Sequence, residues 1–197
     1  MEIDEALARV KDIHRHLARS EVFVGYRVAT LAAIGVAAVA AAAVQEVAFP
    51  AADLGTWLRY WMIVAGACGA FIVVDTLLTA RARGQRGRRT LAALGQFAPA
   101  VAVGALLAIT LLETPHAQLL PGLWTVCFGL GVLASVPFLP RLAGSVGWFF
   151  VACGGLLLAV PAPVIPSPWV LGLPFGIGHG LLALVVHHHG ELEVDDG

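Results

Sequence analysis

Eleven of the twelve Lys and Arg residues fall on one side of a run of six apolar stretches. The stretches cover about 26–44, 57–80, 91–112, 118–138, 143–160 and 169–189. Each is close to the roughly 20 residues that carry a helix across ~30 Å of hydrocarbon. Arg9, Lys11, Arg15, Arg19 and Arg27 lead into the first stretch. Five Arg crowd the link at 81–90 (RARGQRGRRT), and Arg141 stands in the link at 139–147. The alternate links, 45–56, 113–117 and 161–168, carry no Lys or Arg, and Arg59 is the one exception to the sorting. Cytoplasmic loops of membrane proteins concentrate basic residues, so the pattern predicts six spans with both termini in the cytoplasm. Trp57, Trp61, Trp124 and Trp169 cluster at the other end of the even-numbered spans. They predict an aromatic belt at the outer interface.

The expected fold is therefore all-α: a polytopic membrane protein, a six-transmembrane-helix bundle. Charged residues make up 13% of the chain, against roughly 25% in a soluble domain. Lipid must be its solvent, and no separate soluble domain fits. Residues 1–24 form an expected amphipathic cytoplasmic helix, because Ile3, Leu7, Val10, Ile13 and Leu17 recur at three- and four-residue steps. The spans occupy 25–189, and 190–197 form an acidic cytoplasmic tail. Although the first span ends in an Ala-rich run, the long charged lead and five following spans favour a retained helix over a cleaved signal. The four prolines of PAPVIPSP at 161–168 must break any helix there, and Pro99, Pro137 and Pro174 are expected to kink the third, fourth and sixth spans. A composition rich in Ala, Gly and Arg points to a GC-rich bacterial genome, hence to the inner (plasma) membrane.

Polar side chains in hydrocarbon are costly and need partners. Asp75 lies six residues before the basic 81–90 link, about 9 Å deep at 1.5 Å per residue. Gln96, Ser135 and His179 lie at comparable depths in the third, fourth and sixth spans, and Arg27 opens the first. One reading gathers Arg27, Asp75, Gln96, Ser135 and His179 into a polar pocket open to the cytoplasm, with Arg27 the natural partner of Asp75. The other reading leaves an Arg27–Asp75 ion pair and interhelical hydrogen bonds that glue the bundle. Arg59 and Glu113 form a second candidate pair, with Glu46 and Asp53 competing for Arg59. Gly172, Gly176 and Gly180 recur every four residues, a stripe that allows close helix approach within the bundle or in a homo-oligomer.

No catalytic or metal set emerges. His187, His188 and His189 point about 100° apart on successive helix positions and cannot share one metal without unwinding. Cys68, Cys127 and Cys153 lie in separate spans and read as small apolar packing residues. No Walker loop, dinucleotide fingerprint, HExxH or CxxC is present. The basic 81–90 link reads as a topology determinant rather than a nucleic-acid site. The expected role is non-enzymatic binding of a small ligand or protein partner from the cytoplasmic side. A small-solute or proton transporter or channel is the alternative, and an intramembrane haem or metal redox protein a second; the sequence names no cofactor. The lipid bilayer is the expected surround.

Three stretches carry a resemblance: Ala18-Arg19-Ser20-Glu21-Val22-Phe23-Val24-Gly25-Tyr26-Arg27, the turn Pro121-Gly122-Leu123-Trp124, and Ser167-Pro168-Trp169 with Gly172-Leu173-Pro174-Phe175-Gly176. In these the chain resembles an uncharacterised family of small six-span bacterial inner-membrane proteins. The resemblance implies location and span count, and brings no activity. The Asn-Pro-Ala motif expected of acetate/succinate channels is missing.

Overall fold

The computed structural model describes residues 27–50, 52–83, 85–160 and 166–195. The expected surface helix at 1–24 lies outside the described residues. Six long helices follow one another: α1 (Val28–Ala48), α2 (Leu54–Arg83), α3 (Gln85–Leu111), α4 (Leu120–Ser135), α5 (Ala143–Ala159) and α6 (Trp169–Asp195). Among the described residues, five helical segments are long and apolar enough to cross a membrane; α5, at 17 residues, is a shorter apolar helix. Large apolar side chains such as Ile63, Leu106, Ile109 and Leu156 point outward, a surface suited to hydrocarbon rather than water.

Sequence chemistry sets the helix ends. Asp53 caps α2: its carboxylate accepts from the Thr56 hydroxyl at 2.7 Å and the Thr56 backbone N–H at 3.0 Å. Those two bonds hold its carboxyl below the usual carboxylate range. Pro137 does not kink α4 but ends it, in a short 3-10 turn over Val136–Phe138. Pro99 and Pro174 lie inside α3 and α6. α6 runs on through the start of the acidic tail to Asp195, beyond the expected end of the last span.

Each helix packs on its chain neighbours, and α6 closes the ring against α1. The tightest seam joins α4 and α5. A Cβ at Gly129 would lie 2.7 Å from the Gly147 carbonyl oxygen, and one at Gly154 2.7 Å from the Gly122 carbonyl oxygen. Seven residues separate the two glycines on each helix and the order is reversed, so the helices run antiparallel with their backbones touching. The α6–α1 seam follows the same logic. Gly176 faces Val39 and the Gly35 carbonyl, and Gly172 faces Ala42. Gly180 needs no such room, since a Cβ there meets nothing within 4 Å. The sequence stripe is thus two close approaches, not three, and both serve the bundle itself.

Two apolar clusters fill the ring. One, at the end carrying the α1–α2 and α3–α4 links, buries Trp57, Leu58, Trp61, Leu120 and Leu171. The other, nearer the Arg-rich end, buries Leu31, Val132, Val146, Phe150 and Leu182. Trp57 and Trp61, expected in a lipid-facing belt, are only 2% and 5% exposed and are turned into the bundle.

Candidate functional site

The polar residues expected to share one pocket are divided among separate places. At the Arg-rich end, Arg27 lies 3.3 Å from Asp75, with side chains 59% and 18% exposed. Thr30, one turn further along α1, donates its hydroxyl to the other Asp75 oxygen at 2.8 Å. Asp75 therefore grips two positions of α1 from α2. Thr30 went unread in the sequence, yet it sits three residues from Arg27 and so on the same helix face.

Ser135 is buried and spends its hydroxyl on backbone carbonyls, 2.9 Å from that of Gly131 and 3.1 Å from that of Ala93. It joins α4 to α3 and offers nothing to a ligand. Gln96 is exposed and makes no hydrogen bond with any described residue. His179 is 2% exposed and stands among rings, not charges. The Phe128, Phe175 and Phe150 centroids lie 5.2, 6.1 and 6.2 Å from its own. Its Nδ1 donates to the Phe175 carbonyl one turn back, at 2.8 Å, which fixes the proton on that nitrogen. Its Cβ also lies 3.2 Å from where a Cβ at Gly35 would stand, so α1 covers it from the side. His179 belongs to the core where α4, α5, α6 and α1 meet.

A second polar knot, at the opposite end of the α1–α2 seam, went unread. Gln45 is 2% exposed. It accepts from Trp61 Nε1 at 2.7 Å and donates to the Trp57 carbonyl at 3.4 Å. Beside it the Tyr60 hydroxyl donates to the Ala41 carbonyl at 2.8 Å. The available signal was the α1 burial pattern, since Gln45 continues the spacing of Leu31, Ile34, Ala38 and Ala42. Arg59 does pair with Glu113, at 3.0 Å, while Asp53 is occupied by Thr56. That pair is mostly exposed. Among the described residues no group of three His, Cys, Asp or Glu could hold a metal ion, and the three cysteines are free.

Comparison with protein-family models, with curated proteins and with solved structures gives no match.

In the Arg27–Thr30–Asp75 cluster a charged group open to solvent meets a partner that is itself mostly buried and held by Thr30. A guanidinium has five N–H donors in a planar fork. Asp75 engages one edge of it, and the exposed remainder can take a carboxylate or phosphate oxygen.

Proposed function

We propose that this chain is a non-enzymatic, six-span protein of the bacterial inner membrane that binds an anionic small ligand or partner group from the cytoplasm, at the Arg27–Asp75 cluster. The observation that carries the reading is the half-open Arg27, tethered by Asp75 across the least packed seam of the ring. The sorting of eleven basic residues supports a cytoplasmic Arg-rich end and cytoplasmic termini. Backbone contact between α5 and α4 at both glycine pairs supports α5 as a crossing too, which brings the count to six. A helix lying flush and antiparallel beside a spanning one shares its depth, and an even span count returns the chain to the side where it began.

Thermal unfolding of the purified chain in detergent tests the site. Inorganic phosphate is expected to raise the midpoint, Asp75→Asn to enlarge the response by freeing Arg27, and Arg27→Gln to remove it. A response unchanged in Arg27→Gln sinks the reading. Proteoliposomes should show no proton flux, which separates a binding protein from a transporter. Impermeant labelling of a cysteine placed at Gln85 should succeed only from the cytoplasmic side.

A further inference from the structure

The α1–α2 seam is closed at both ends and open between them. Thr30 and Ala41 both touch α2, through Asp75 and Tyr60. Ala37 lies on the same face of α1, seven residues from Thr30 and four from Ala41, yet it is exposed. α2 matches this. Val64, Cys68 and Ile72 continue the face of Tyr60 toward Asp75 in four-residue steps, and all three are only partly buried. Most of the α2 residues around them are exposed, and of the α2 span window only 6% is buried, against 44% for α1. Between the two contacts the facing positions are thus left at least partly uncovered. Eleven residues of α1 separate the contacts, about 16 Å at 1.5 Å per residue, or roughly half the ~30 Å of bilayer hydrocarbon.

The slot has apolar walls, and at its Arg-rich end stands the 59% exposed Arg27. Arg81, also exposed, adds positive charge at that end. A cation at headgroup level beside an apolar slot one leaflet deep is complementary to one class of molecule. We infer that the α1–α2 seam binds an anionic phospholipid of the cytoplasmic leaflet, phosphate on Arg27 and one acyl chain lying along Ala37, Val64, Cys68 and Ile72. The inference rests on the cytoplasmic anion site proposed above and names its ligand. The chain enters sideways from the bilayer, so the Asp75–Thr30 contact need not open.

Native mass spectrometry of the full chain, released from detergent containing equal phosphatidylglycerol and phosphatidylcholine, tests it. The wild type is expected to retain phosphatidylglycerol with about fivefold preference, the contribution of one basic group to an anionic lipid. Arg27→Gln should level the two lipids, and Arg27→Lys should keep the preference. Ala37→Phe fills the slot and should cut lipid retention while leaving the phosphate response intact. Equal retention of both lipids by the wild type overturns the proposal without any variant. So does undiminished retention in an Ala37→Phe protein that elutes and unfolds like the wild type. If the phosphate response survives either failure, the lipid assignment alone is lost. If Arg27→Gln changes neither response, the anion site falls with it.

Discussion

Between α4 and α5 backbone lies on backbone; between α1 and α2 the links are side-chain hydrogen bonds toward either end of the seam. In the first seam the glycines leave room for the facing backbone and for Val126, Leu133, Val151 and Leu158 to lie directly on them, and the contact runs over two full turns. In the second, Gln45 and Tyr60 fasten one end and Asp75 the other, with exposed Ala37 between. The contrast follows from what drives association in lipid. Apolar side chains gain little by leaving hydrocarbon for each other, so helices are held by close packing or by hydrogen bonds. Packing gives a continuous, rigid wall. Hydrogen bonds give discrete clamps, and the stretch between clamps is free to part.

The largest effect is expected from Gly129→Val. The new side chain meets the Gly147 carbonyl oxygen and the Val151 backbone nitrogen, which cannot rotate away. Separating the two helices should cost about 3 kcal/mol or more, at the upper end of overpacking penalties. Titration of unfolding in mixed micelles measures it. A Gly129→Val protein as stable as the wild type would mean that the wall is not closely packed, and the comparison would collapse.

Gln45→Leu comes next. It removes the acceptor of a buried indole N–H, and an unpaired buried donor costs about 1–3 kcal/mol. Because a clamp, unlike a wall, can be cut at one residue, the α1–α2 seam should loosen locally. Cys68 lies between the clamps, so its reaction with a maleimide should speed up while Cys127, buried in the ring, stays slow. Equal acceleration at both cysteines would indicate global loosening and no separate seam.

Asp75→Asn should cost less, about 1 kcal/mol, because Arg27 is more than half exposed and water competes for it. Asparagine keeps an oxygen for Thr30, so the carbonyl side of that clamp survives. Adding Arg27→Gln should then change stability little further, since the two residues share one interaction. Strict additivity in that cycle would show that the two side chains act independently.

The order of legibility in the sequence follows the same physics. Arginine sorting and twenty-residue apolar runs are properties of single segments, and they located all six helices and the Arg-rich end. The Arg27–Asp75 and Arg59–Glu113 pairs were also legible, because opposite charges at matched depth have few alternative partners. The shared pocket was not. Depth along a helix is linear in sequence, but azimuth depends on which neighbour each face meets. His179 turned toward Phe128 and Phe150, Ser135 toward the α3 backbone, and Gln96 outward. Gln45 is illegible as a buried group because the apolar run ends just before it and places it in the 45–56 link, whereas α1 runs to Ala48.

The smallest effect is the most discriminating. Gly66 and Gly69 stand mid-way along α2 with nothing within 4 Å of where a Cβ would lie, whereas Gly122, Gly129, Gly147 and Gly154 all meet a facing helix. If α2 is open as described, Gly66→Ala and Gly69→Ala should be neutral or stabilising by up to ~1 kcal/mol, the helix-propensity gain of Ala over Gly. The expected readout is an unfolding midpoint equal to or slightly above that of the wild type, with unchanged elution volume in detergent. A clear loss of stability, together with a shift to smaller size, would show that the outward face of α2 is covered by a second copy. The seam beside it would then be one border of an intermolecular contact, and its looseness within a single chain would need a different explanation.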